Sequence, residues 1–205
     1  GTPPDRPAPQ GAFSVITHGA FRNFMQKQDY RAHIGLAEAG AGGVSDAVGA
    51  LAGLRGEITM IDGRYILSYG GGCKAACPAP EGEQAALLGL GTVREWAAPL
   101  VLGETLAGKA LDDHIIAVAK AAGLDMTQPF PLRLRGTLVD LAMHVLEGPN
   151  EGFTGHGSKV HMARQDEFSH KSLAGEVVGF YVPSRLHGTL SHPGEPFHFH
   201  WVDET

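Results

Sequence analysis

The chain has 205 residues, of which 43% are hydrophobic and 19% are charged. This composition is that of a folded domain with a sizeable core and excludes an intrinsically disordered chain. The net charge of −6 with neutral histidines argues against a nucleic-acid-binding protein, which normally carries a basic surface. No apolar run reaches the length that a membrane span needs, so we expect neither nucleic acid nor membrane as a partner.

Residues 1–11 are rich in proline and polar side chains and are predicted to form a disordered lead-in. Such a segment resembles what remains after a secretory signal is removed, so we expect a periplasmic or secreted protein, with the cytoplasm as the alternative. Cys73 and Cys77 do not have the C-x-x-C redox spacing. A local disulfide between them would suit export and is favoured, whereas two free thiols would suit the cytoplasm.

The first half of the chain predicts short elements separated by turns. Residues 12–19 alternate weakly and predict a strand, and residues 21–28 have apolar side chains at helical spacing. Residues 44–51 are interpreted as a loop or a short helical turn. Residues 56–69 predict a β-hairpin, because Asp62-Gly63 at its centre tolerates the positive φ of a two-residue turn.

The second half predicts one good helix among strands. Strand-like apolar segments extend over residues 85–102, and residues 111–122 have a single apolar face typical of a helix. Strands are predicted over residues 130–145, 173–182 and 197–201.

Because strands outnumber helices and lie on both sides of the helix, the pattern predicts an α+β fold with a mostly antiparallel or mixed sheet. Residues 12–205 are taken as one domain, with sub-domains over about 12–128 and 129–205 as an option. Exposed strand edges make a homodimer reasonable.

The sequence Phe197-His198-Phe199-His200-Trp201 is the clearest chemical motif. In a strand, residues two apart share a face, so His198 and His200 would project together. Two imidazoles aimed at one point are half of a metal site. The alternative is a strand that carries two histidines without binding a metal.

Two further features could join this pair. Arg133 and Arg135 would share one face of a strand and could grip a carboxylate, although a solvated strand face is the simpler interpretation. Glu57 opens the predicted hairpin and would by default lie on the surface.

Four ordered segments together resemble the α-acetolactate decarboxylase family. Residues 49–65 are similar to the family pattern G-x-x-x-G-L-x-G-E followed by D-G-x-x-Y, and residues 130–136 are similar to its x-R-x-x-G strand. Residues 175–183 resemble G-T-x-V-G-F-x-x-P, and residues 197–200 stand where the family has Y-H-L-H.

The resemblance implies a fold, a reaction and a set of residues. Family members hold one divalent metal, usually zinc, through three histidines, and His198 and His200 match two of them. Glu57 matches a glutamate of the active site, and Arg133 matches its arginine. The implied reaction is decarboxylation of 2-acetolactate, a small carboxylic acid, to acetoin.

These residue types suit that reaction. A metal acting as a Lewis acid stabilises the charge that develops when CO₂ leaves, an arginine can orient the departing carboxylate, and a carboxylic acid can deliver the final proton.

The family's third histidine follows the H-x-H strand in a segment beyond position 205. Either this is a shortened, diverged relative, in which tetrahedral zinc needs another donor from this sequence, or the sequence is truncated relative to the natural chain. The candidates for that donor are His156, His161, His187, His192, Asp203 and Glu204. The alternative to an enzyme is a non-catalytic small-molecule-binding or structural protein with the same fold and an incomplete metal site.

Overall fold

The computed structural model describes residues 11–72, 79–155 and 157–203. The predicted disulfide between Cys73 and Cys77 falls outside these described residues, as does nearly all of the predicted lead-in.

Nine β-strands and three α-helices form the regular structure of the described residues, together with three single turns of 3-10 helix. They are β1 (Phe13–His18), α1 (Phe21–Lys27), β2 (Ile34–Gly35), α2 (Leu36–Ala39), β3 (Asp46–Leu51), β4 (Gly56–Ile61), β5 (Arg64–Tyr69), β6 (Gln84–Val93), α3 (Lys109–Ala121), β7 (Phe130–Pro149), β8 (Ala163–Tyr181) and β9 (Phe197–Asp203). Every strand pairing among them is antiparallel, which confirms the predicted fold class. None of the described helices has the length and apolar character needed to cross a membrane.

The first sheet has the strand order β1-β6-β3-β4-β5, with β2 added to β6. The predicted hairpin is confirmed as β4 and β5, but the loop or short helical turn predicted for residues 44–51 is wrong, because β3 is a fully buried central strand. Its small residues hid it from the sequence pattern. At Gly49 a Cβ would overlap the carbonyl oxygen of Leu87 on β6, so the absence of a side chain lets the two strands pair.

The second sheet has the order β7-β8-β9, and its first two strands form a long ribbon. β8 begins ten residues before the predicted strand, because its first half is polar and exposed and has no apolar alternation to reveal it. By contrast, β6 ends at Val93, and residues 94–108 contain no helix or strand, although strand-like segments were expected as far as residue 102.

The two sheets pack face to face through shared apolar clusters. Val48 of β3 packs with Val178 and Phe180 of β8, and Ala50 packs in a second cluster with Leu146 near the end of β7. On its other face the second sheet is covered by α3. The division into sub-domains at about residue 128 stays a prediction.

Candidate active site

Strand β9 places His198 and His200 on the face of the second sheet that packs against the first, as the alternation predicts. These two residues pair in register with Phe180 and Val178, whose side chains belong to the core between the sheets. The rings of His198 and His200 meet edge to face, with their centroids 5.1 Å apart and an interplanar angle of 76°. The histidine pair therefore faces the first sheet at close range.

His198 is held by the loop that precedes β9. Its Nδ1 atom lies 2.8 Å from the carbonyl oxygen of Leu190. Because a carbonyl oxygen can only accept a hydrogen bond, Nδ1 carries the proton and Nε2 keeps the lone pair. Burial lowers the pKa of His198 well below 6.5, and His200 and His192 lower it further. Near pH 7 His198 is therefore a neutral imidazole.

His200 is held by the strand β4. Thr59 Oγ1 lies 2.8 Å from its Nδ1 atom and can accept the proton on that nitrogen, which leaves Nε2 with the lone pair. The pKa of His200 is lowered to about 4, chiefly by burial and also by His144, while a hydrogen bond with the backbone of Ile58 acts in the opposite direction. His200 is thus also neutral near pH 7.

Glu57 lies on the same face of β4 as Thr59, because the two residues are two positions apart in a strand. Its Oε2 atom is 3.8 Å from Nε2 of His200, and its side chain is only 15% exposed. The pKa of Glu57 is raised from 4.5 to about 8 by burial, against the opposing effect of a hydrogen bond with the backbone of Leu146. At pH 7 the contact therefore joins a protonated carboxylic acid and a neutral imidazole and is not an ion pair.

Arg133 is placed in a separate ionic cluster. Its Nε donates to Asp46 Oδ1 over 2.8 Å and a terminal nitrogen donates to Asp62 Oδ1 over 2.8 Å. Its guanidinium also lies 4.9 Å from the centroid of the Trp96 ring. Across the sheet Arg133 is in register with His200, but Val178 on β8 lies between them. Two strand spacings separate their backbones by about 10 Å. The structure thus brings together Glu57, His198 and His200 and directs Arg133 towards carboxylates of the first sheet.

The candidate third-donor histidines that the structure describes contact other groups of the chain. Nε2 of His187 lies 3.1 Å from the carbonyl oxygen of Val182, and Nδ1 of His161 lies 3.1 Å from that of Ala163. His192 packs its ring 4.2 Å from the ring of Phe21. Asp203 is exposed at the end of β9, and His156 and Glu204 lie outside the described residues. Within the part of the chain that the structure describes, no group of three His, Cys, Asp or Glu side chains is already arranged to hold a metal ion.

The chemistry of the central residues nevertheless fits a divalent metal such as zinc. Metal-binding imidazoles are neutral and use one nitrogen while the other is hydrogen-bonded, as the contacts of His198 and His200 allow. The Nε2 atoms of His198 and His200 are the atoms that would hold the metal, with the protonated carboxyl of Glu57 beside them, 3.8 Å from Nε2 of His200.

Sequence reasoning missed two residues of this site. Thr59 could have been found from its position two residues after Glu57 on a predicted strand. His144 lies on the predicted continuation of the strand over residues 130–145, and its electrostatic effect on His200 depends on how β7 bends over the first sheet. No pattern in the sequence signals that approach.

Comparisons with known proteins place the fold. No protein-family model matches the sequence, and no curated protein sequence matches it. Among solved structures, α-acetolactate decarboxylase from Bacillus subtilis strain 168 matches with a TM-score of 0.70 and 16% identity, covering 93% of this chain and 75% of that one. The chain has the acetolactate decarboxylase fold.

Two further solved structures agree. Acetolactate decarboxylase from Bacillus subtilis subspecies spizizenii matches with a TM-score of 0.69 and 16% identity, covering 93% of this chain and 76% of that one. A protein of unknown function from Staphylococcus aureus, described as similar to α-acetolactate decarboxylase, matches with a TM-score of 0.65 and 18% identity over 93% of this chain and 75% of its own. At these identities the likeness establishes the fold alone.

Proposed function

We propose that the protein is a metal-dependent decarboxylase that converts 2-acetolactate, or a closely related small hydroxy-keto acid, to acetoin or the corresponding hydroxy ketone. The observation that carries the proposal is the buried Glu57 carboxyl, which faces the Nε2 atom of His200 at 3.8 Å on an acetolactate decarboxylase fold. A carboxylic acid with a pKa of about 8 is a proton donor at neutral pH, which is what this reaction needs in its last step.

Each residue has a defined task in the proposal. His198 and His200 would hold zinc or another divalent cation, which as a Lewis acid would stabilise negative charge on the substrate oxygens. When CO₂ leaves, the bond between the carboxylate group and the substrate carbon that carries it breaks. The electron pair of that bond stays on the substrate carbon. Glu57 gives its proton to that carbon, and the resulting carboxylate takes a proton from solvent.

Arg133 is not assigned the substrate carboxylate in this proposal. Its Nε and Nη2 atoms donate to Asp46 and Asp62, and its Nη1 atom lies 3.7 Å from Oε1 of Glu176. We assign it instead to holding β7 against the first sheet.

The test is direct. Purified protein is loaded with zinc and mixed with 2-acetolactate, and acetoin is measured by a colorimetric assay. The wild type should form acetoin, and Glu57→Gln should lower kcat by about 10²-fold or more, as loss of a general acid does. His161→Gln, at an exposed histidine bonded to its own loop, is the matched control and should keep the wild-type rate. Absence of acetoin from the zinc-loaded wild type would refute the proposal.

A non-catalytic small-molecule-binding protein is the second candidate. The ionic cluster of Arg133 and the lack of a preformed three-donor group within the described residues favour it. If the zinc-loaded protein binds a small 2-hydroxy acid in calorimetry but releases no acetoin from 2-acetolactate, this second function is supported.

A further inference from the structure

Strand β7 brings His144 to the edge of the candidate active site. Leu146, two residues further along β7, hydrogen-bonds through its backbone with Glu57. Its side chain packs in the same cluster as Ala50, which is the register partner of Glu57 in the first sheet. The pairing of β7 with β8 is regular from residue 142 to residue 146, so His144 lies on the same face of β7 as Leu146. That face is the one that meets Glu57.

The electrostatic interactions agree with this placement. His144 lowers the pKa of His200 and, with a smaller effect than that of His192, the pKa of His198. The side chain of His144 is exposed, so it can turn without disrupting the core.

Glu167 supplies the partner that a metal-binding histidine usually has. It is directly opposite His144 in the pairing of β7 with β8, and both residues line one open cavity of about 460 Å³. Side chains directly opposite each other in an antiparallel pair are close enough to interact. A carboxylate that accepts a hydrogen bond from the second ring nitrogen orients a metal-binding imidazole and makes it a better donor.

The other nearby histidines are less suited. The Nδ1 atom of His161 lies 3.1 Å from the carbonyl oxygen of Ala163, and its Nε2 atom lies 3.5 Å from the side-chain nitrogen of Gln165, so both ring nitrogens already have partners. His192 is packed against the ring of Phe21.

We propose that His144 turns towards His198 and His200 and supplies the third protein donor of their metal ion, with Glu167 orienting its ring. This inference rests on the proposed function. With His144 as third donor, a metal ion held by the two histidines of β9 would have three protein ligands, although the described residues show no preformed group of three donors.

The test uses the full chain and Co²⁺, whose visible absorption is intense when its coordination is tetrahedral. Binding is followed by the visible spectrum, and zinc affinity is followed by competition with a coloured chelator. His144→Gln should lower zinc affinity about 100-fold and abolish the tetrahedral spectrum. Glu167→Gln should lower affinity about 10-fold, which is typical of losing a partner that orients a ligand. His161→Gln should change neither readout.

The outcomes separate this inference from the function on which it rests. If the wild type binds Co²⁺ tetrahedrally and His144→Gln binds it equally well, His144 is not a ligand, while acetoin formation can still uphold the proposed function. If the wild type binds no Co²⁺, both proposals fail together. Far-UV circular dichroism checks that His144→Gln is folded, and Glu167→Gln gives an independent answer if it is not.

Discussion

Replacing Glu57 by glutamine should change how the stability of the protein depends on pH. The side chain is nearly buried, at 15% exposure, and burial raises its pKa from 4.5 to about 8. Glutamine has almost the same shape, keeps an acceptor oxygen for the hydrogen bond with the backbone of Leu146, and does not ionise. The variant therefore removes the titration of this group and little else.

The magnitude follows from the two pKa values. The folded state holds the proton of Glu57 more tightly than the unfolded state, so the stabilising effect of that proton is complete below pH 4.5 and is lost as the pH rises towards 8. Each pH unit in this window is worth about 1.4 kcal/mol. Between pH 4 and pH 7 the wild type should therefore lose about 3 kcal/mol of unfolding free energy relative to Glu57→Gln.

The assay is urea unfolding of both proteins in metal-free buffer at half-unit steps from pH 4 to pH 8. The quantity to plot is the difference between the two unfolding free energies, since titrating groups distant from Glu57 cancel in it. If this difference stays constant across the range, Glu57 is not held as a buried acid and its role as proton donor at neutral pH is refuted.

Three other substitutions test the surroundings of the site. As the pH falls from 6.5 to 4, the unfolding free energy of His200→Gln should rise by about 3 kcal/mol relative to that of the wild type. The reason is that the folded wild type keeps His200 neutral, with a pKa of about 4. The same urea series measures this difference. Arg133→Met should lower the unfolding free energy by about 3 kcal/mol, since it leaves the fully buried Asp46 without its cation, and adding Asp46→Asn should recover part of that loss. Gly179→Ala should lower the unfolding free energy measured in urea by about 3 kcal/mol, because a Cβ there would overlap a carbonyl oxygen of β9. Stability equal to that of the wild type would show that β8 and β9 are not paired in this register.

Local patterns accounted for much of the secondary structure. The hairpin of β4 and β5 follows from Asp62-Gly63, since both residues have positive φ in the structure. The helix α3 follows from its single apolar face and ends at Ala121, two residues before Gly123, which also has positive φ. β3 was missed because its small residues have no alternation, and they are small because neighbouring backbones pack closely on them.

For the site, the sequence by itself determined that His198 and His200 share one face of a strand, because alternation is a property of the extended backbone. It also placed Glu57 at the start of a hairpin strand. Only the tertiary structure decided that Glu57 is buried beside His200, since its pKa depends on the desolvation produced when the two sheets pack together. The same packing decided that Arg133 meets Asp46 and Asp62, and that the backbone of Leu146 on β7 meets Glu57. These contacts join residues 71 to 143 positions apart, and local sequence patterns contain no information about them.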